Sequence, residues 1–119
     1  MYNRTHTCGE LNESSIGTKV QLNGWVNTSR LHGKIVFVDL RDRYGKTQLV
    51  FDEAIFLEAF EKIKKLSSED VISVSGIVKN RDDGAINPNM KTGKIEIAVS
   101  AFSILNKAST LPFVLTDRN

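Results

Sequence analysis

Few residues in this sequence have the types and spacing that covalent chemistry needs. Asp39 and Asp42 are the nearest thing to an acid and base pair, yet Arg41 and Arg43 flank them. They read more simply as the compensated charges of a hairpin than as catalytic carboxylates. His6 and His32 are isolated, as exposed or hydrogen-bonding histidines usually are, so no metal site is expected. There is no Gly-rich phosphate loop, no His or Cys cluster at metal spacing and no nucleophile beside a base. The single cysteine, Cys8, excludes an internal disulfide and fits a free structural thiol in a reducing compartment.

The chemistry that remains is non-covalent. Arg30, Lys34, Arg41, Arg43 and Lys46 outnumber Asp39 and Asp42 in one stretch, with Phe37 and Tyr44 among them. Cations interleaved with aromatics suit a surface that tracks a nucleic-acid backbone and stacks its bases. An ordinary solvated face fits the same charges.

Five strands and one helix must position these groups. Residues 19–28 alternate, with Val20, Leu22 and Val26 on one face and Gln21, Asn23, Trp25 and Asn27 on the other. Gly24 allows the sharp coil by which one strand joins two halves of a small barrel. Residues 34–41 send Val36, Val38 and Leu40 inward and Ile35, Phe37, Asp39 and Arg41 outward. The sequence Asp42-Arg43-Tyr44-Gly45 reads as a turn, and residues 47–51 follow as a strand with Leu49 and Phe51 inward and Gln48 and Val50 outward.

Over residues 55–66 the period becomes helical. Ile55, Phe56, Ala59, Phe60, Ile63 and Leu66 form a stripe, Glu58/Lys62 and Glu61/Lys65 are i,i+4 pairs, and Asp52 is the expected N-cap. The stripe is expected to plug an open end of the barrel. Residues 71–79 are a strand carrying Ile72, Val74 and Val78, and Ile95, Ile97 and Val99 define the last one. Between them, residues 81–93 hold Gly84, Pro88 and Gly93 and read as a long hairpin loop, a common place for ligand contacts on small barrels.

The order β-β-β-α-β-β predicts an all-β fold, a five-stranded Greek-key barrel of OB type with its helix between strands 3 and 4. Such barrels bind oligonucleotides across strands 2 and 3 and the flanking loops, although saccharide-binding and protein-binding versions share the order. On the predicted outer face lie a stacking ring (Phe37), an amide that donates and accepts (Gln48), basic residues (Arg30, Lys79, Arg81) and a carboxylate (Glu96). These types match an unstacked RNA base and its phosphates. A ring at Phe37 that merely caps a hydrophobic edge remains the alternative.

The whole sequence is compatible with one domain: 119 residues, 40% hydrophobic and 25% charged, with a net charge of +2 that does not by itself mark a nucleic-acid binder. No run approaches the ~20 apolar residues of a membrane span, and a cytoplasmic protein is expected. Residues 1–108 form the expected barrel. Pro112 stops the strand pattern, so residues 109–119 read as the start of a linker to a further domain.

Three stretches carry a family resemblance: Gly24-Trp25-Val26-Asn27, then Phe37-Val38-Asp39-Leu40-Arg41-Asp42-Arg43-Tyr44-Gly45, then Gln48-Leu49-Val50-Phe51. His6-Thr7-Cys8-Gly9-Glu10-Leu11 at the start, and Ile86, Asn87, Met90, Thr92, Gly93, Ile95, Glu96 and Leu111-Pro112-Phe113 later, belong to the same pattern. Together they closely resemble the N-terminal domain of bacterial aspartyl-tRNA synthetases over essentially the whole chain. The Arg41-Asp42-Arg43-Tyr44-Gly45 turn is the specific part, because the asparaginyl and lysyl relatives differ there.

The resemblance implies a domain that reads the tRNA anticodon for a class II ligase, an enzyme that joins aspartate to tRNA using ATP and Mg2+ in a catalytic domain these residues lack. It implies no cofactor in this chain and a homodimeric parent built largely by the catalytic domain. It also implies that Phe37 stacks on the middle anticodon base, a uracil, that Gln48 bonds its edge, and that Arg30, Arg81, Asn87 and Glu96 belong to the same site. Thr28 and Ser29 stand where many relatives have arginines, and Val50 where some have an aromatic.

His32 and Gly84 resemble the branch that charges both tRNA-Asp and tRNA-Asn, whose anticodons differ only at the third base. The competing expectations are a free-standing OB protein for single-stranded nucleic acid and an asparaginyl-tRNA synthetase domain.

Overall fold

The computed structural model describes residues 4–81 and 93–106. After a 3-10 turn at Glu13–Ser15 come β1 (Lys19–His32), β2 (Ile35–Asp42), β3 (Gly45–Asp52), α1 (Phe60–Lys64), β4 (Val71–Asn80) and β5 (Ile95–Asn106). The strands close into a barrel in the order β1-β2-β3-β5-β4, with β1 pairing both β2 and β4. All pairs are antiparallel except β3 with β5. This is the predicted OB architecture, with longer strands at both ends of the chain than the alternation suggested.

Alternation builds the core. Val20, Leu22 and Val26 of β1, Val36, Val38 and Leu40 of β2, and Leu49 and Phe51 of β3 are all buried, joined by Ile72, Val74, Val78, Ile95, Ile97 and Val99. Burying each large aliphatic or aromatic side chain contributes about 1.5–3 kcal/mol before conformational entropy is subtracted.

Two local features set the shape. At Gly24 a Cβ would stand 2.4 Å from the Arg41 carbonyl oxygen, so only glycine lets β1 coil across β2 while it pairs with β4. Between Val26 and Thr28 the β1–β2 register shifts, leaving Asn27 as a bulge. The bulge inverts the parity of the strand, so that Arg30 faces Phe37 and His32 faces Ile35.

The helix is shorter than its periodicity predicts. The Asp52 side chain accepts from the Ala54 N–H at 2.9 Å and its carbonyl from Ile55 and Phe56, which makes a capped turn instead of a helix start. The N-cap of α1 is Ala59, with no side-chain bond. Phe56 seats against Phe51 and Phe102, with ring centroids 5.7 and 5.6 Å away, and this packing holds the chain in turns up to the helix. Such tertiary anchoring outweighs the weak intrinsic stability of a short helix. Phe60, Ile63 and Leu66 are buried as expected, whereas Ile55 is exposed. The expected Glu58–Lys62 pair does not form among the described residues, and an ion pair is seen at Glu61–Lys64, 2.7 Å.

The β2–β3 turn also differs in its chemistry. Asp42 continues the inward phase of Val36, Val38 and Leu40 and is buried. One carboxylate oxygen accepts from the Tyr44 and Gly45 N–H groups at 2.8 and 3.2 Å, the other from the Cys8 N–H at 2.8 Å. Asp42 is therefore an internal anchor for the N-terminal segment and not a charge balanced by Arg41 and Arg43. The expected linker at 109–119 and the loop at 82–92 lie outside the described residues.

Candidate nucleic-acid interface

The outer faces of β1, β2, β3 and β5 bring five of the predicted residues together. Across the ladder Arg30 stands opposite Phe37, Asp39 opposite Gln48, and Phe37 opposite Val50. The Phe37 ring is half-buried. The Arg30 guanidinium lies 5.8 Å from its centroid, and the His32 ring meets it edge-on at 5.7 Å and 74°. Partly exposed and held by these two contacts, Phe37 lies at the surface, outside the hydrophobic core.

Gln48 occupies the predicted outward phase but is only 4% exposed. What covers it is polar. Its Oε1 accepts from Arg30 at 3.3 Å, and its Nε2 donates to the Glu96 carboxylate at 3.1 Å. A guanidinium can only donate and a carboxylate can only accept, so these partners fix which way the amide faces. These two partners leave one N–H and one oxygen lone pair of the amide unused, and the Arg30 side chain that covers it is 48% exposed.

Arg81 closes the cluster from beneath. It is 6% exposed, and its Nε donates to the Ile95 carbonyl at 3.0 Å. Burial pulls its pKa below the ordinary guanidinium value, while the nearby Asp39 and Glu96 carboxylates act in the opposite sense. It stays cationic at neutral pH and supplies a fixed positive charge under the face.

Asp39 keeps the outward phase expected of it, but its partners among the described residues are not Arg41 and Arg43. It accepts from the Thr28 hydroxyl at 3.0 Å and lies 4.0 Å from the Arg30 guanidinium, in the middle of the interface. The available signal was its phase, shared with Phe37, which outranks its closeness in sequence to the Arg41 and Arg43 charges. Lys79 pairs in register with Glu96 at the margin. Asn87 and Gly84 lie outside the described residues.

A closed OB barrel whose outer β2–β3 face carries a half-buried ring, an oriented amide and buried cationic support belongs to the class of nucleic-acid-binding domains. The comparison with known families agrees: the chain belongs to the tRNA anti-codon family, the OB-fold nucleic acid binding domain, which it matches over residues 20–105.

It is 50% identical over 115 residues to the "Aspartate--tRNA(Asp/Asn) ligase" of Oleidesulfovibrio alaskensis, covering 97% of this chain and 19% of that protein. It is 48% identical over 113 residues to the "Aspartate--tRNA ligase" of Halalkalibacterium halodurans, covering 95% and 19%. Among solved structures, the asparaginyl-tRNA synthetase of Pyrococcus horikoshii in complex with asparaginyl-adenylate superimposes with a TM-score of 0.77 at 33% identity, over 94% of this chain and 24% of that one. The chain thus spans about a fifth of the length of these curated relatives.

Proposed function

We propose that this chain is the anticodon-reading domain of an aspartate–tRNA ligase, with Phe37, Gln48, Arg30, Arg81, Glu96 and Asn87 as its binding residues. The observation that supports it most is the pairing of the Phe37 platform with an amide whose orientation is set by Arg30 and Glu96. Uracil presents an N3–H donor beside carbonyl acceptors. Once Arg30 shifts onto a phosphate, Gln48 Oε1 accepts from that donor and the remaining amide N–H gives to a carbonyl. Cytosine offers an acceptor at N3 and a donor at N4, so each contact meets its own kind, a mismatch worth about 1–3 kcal/mol.

In this reading residues 1–108 are the anticodon domain and 109–119 begin the linker to a class II catalytic domain that uses ATP and Mg2+. The parent enzyme is cytoplasmic and homodimeric. Among the described residues no helix is long and apolar enough to cross a membrane. The 50% identity to a bacterial aspartate–tRNA(Asp/Asn) ligase over 97% of this chain supports the aspartate assignment.

His32, in edge contact with Phe37, and Gly84 accord with acceptance of both tRNA-Asp and tRNA-Asn. Titration of anticodon stem-loops bearing GUC, GUU and GCC tests both levels. GUC bound at least tenfold more tightly than GCC is expected, and equal binding rejects anticodon reading. Similar binding of GUC and GUU is expected, and a strong preference for GUC rejects dual specificity.

A further inference from the structure

The outward strip that holds Phe37, Asp39 and Gln48 does not end at the cluster. Arg41 and Lys46 are the next opposed pair along β2 and β3, and Arg41 lies roughly 13 Å from Phe37 at ~3.3 Å per residue. Beyond them the turn carries Tyr44, 51% exposed, with the Arg4 and Arg43 guanidiniums 5.6 and 5.9 Å from its ring centroid. Among the described residues no carboxylate forms an ion pair with Arg4, Arg41 or Arg43. The carboxylate between Arg41 and Arg43, Asp42, is turned inward onto three backbone N–H groups, and Glu10, the carboxylate nearest Arg4 in sequence, accepts from the Thr7 N–H.

Arg4 belongs to this site because the segment that carries it is fastened on both sides. The Thr5 N–H donates to the Gln21 carbonyl at 2.9 Å, and the Cys8 N–H donates to Asp42. The Thr47 hydroxyl donates to the Cys8 carbonyl. Gly9 is packed so closely that a Cβ there would stand 2.1 Å from the Tyr44 carbonyl oxygen. A guanidinium resting on an aromatic ring loses little further freedom when it binds, and its N–H donors stay at the rim where a phosphate can meet them.

We propose that the β2–β3 turn and the N-terminal segment fastened to it form a second RNA contact, in which Arg4, Arg41 and Arg43 hold phosphates of the same RNA whose bases occupy the Phe37–Gln48 face. The proposal rests on the anticodon reading for the identity of that RNA. Its chemistry is that of the phosphodiester backbone: it adds affinity and salt dependence and carries no base preference.

The test is the salt dependence of GUC and GCC stem-loop binding by the 119-residue chain and a triple variant, Arg4→Gln/Arg41→Gln/Arg43→Gln. The expected result is a log K against log salt slope shallower by about 0.7–0.9 per lost contact, roughly 2–3 in all, with the GUC to GCC ratio unchanged. A control, Lys19→Gln/Lys62→Gln/Lys64→Gln, removes the same charge elsewhere and is expected to leave the slope near that of the parent. An unchanged slope in the triple variant, or an equal loss in the control, overturns the proposal. A chain that shows no GUC preference while the triple variant still lowers the slope sinks the anticodon reading and leaves this phosphate contact standing. Tyr44→Leu is expected to weaken binding severalfold and Tyr44→Phe to restore it; equal weakening by both overturns the role of the ring.

Discussion

The β2–β3 hairpin carries two buried polar centres on opposite faces of the same ladder. Inward, Asp42, Thr47 and the Cys8 backbone form a closed set: the carboxylate accepts from three N–H groups and the hydroxyl donates to a carbonyl. Outward, the Gln48 amide is held by Arg30 and Glu96 yet keeps one donor and one acceptor position. Burial alone does not distinguish a structural polar group from a recognition group. What separates them is the nature of the partners. Backbone partners cannot leave without unfolding, whereas an exposed arginine can trade one acceptor for a phosphate.

On that distinction the two centres respond oppositely to substitution. The largest effect belongs to the inner one. Asp42→Asn places an amide N–H against a backbone N–H and strands part of a three-bond set, so a loss of about 3 kcal/mol is expected from urea unfolding. The GUC to GCC binding ratio of the surviving folded protein should not change. A stable variant with altered selectivity would reverse the assignment of the two centres.

On the outer face Phe37→Ala removes the platform. An increase in Kd of roughly 5- to 150-fold, about 1–3 kcal/mol, is expected in stem-loop titrations, with an unfolding midpoint close to that of the parent. Collapse of the fold would instead make the ring a core residue. Gln48→Met keeps the volume and discards the polar edge. It should reduce the GUC preference toward unity, a change of about 1–2 kcal/mol, because neither pyrimidine is then read. Retained preference would move base reading to another residue.

The sequence carried much of this and missed some for identifiable reasons. Alternation in β2 and β3 placed Phe37 and Gln48 on one face and Leu49 and Phe51 on the other, because a half-buried strand has a strict period of two. The same rule applied to β1 would have sent Arg30 inward with Val20, Leu22 and Val26. The bulge at Asn27 brings it out, and no residue type there announces it. Asp39 and Asp42 lie close to the same arginines in sequence, yet their opposite phases turn one to the outer face and the other to the interior. The cover over Gln48 and the shortened α1 depend on contacts distant in sequence, Glu96 in one case and Phe102 in the other. Local pattern does not encode those. The assignment of Gly84 and Asn87 to the site came from resemblance alone, and both lie outside the described residues.

The smallest expected effect probes the inner centre by pH. Burial, reinforced by the Asp42 carboxylate, pushes the Cys8 thiol well above its ordinary value. Above about pH 8.5 the unfolded chain sheds the thiol proton while the folded one keeps it, so the unfolded state binds fewer protons and stability falls as pH rises. Below that pH the contribution is fully present, and by pH 9.5 about 1.4 kcal/mol of it should be gone. Cys8→Ala has no thiol to ionise. At pH 7 it is expected to be less stable than the parent by about 1 kcal/mol, the cost of a small cavity, and by pH 9.5 the two unfolding curves should converge. Parallel curves across this range would mean that the thiol reaches water, and that the inner centre is open like the outer one.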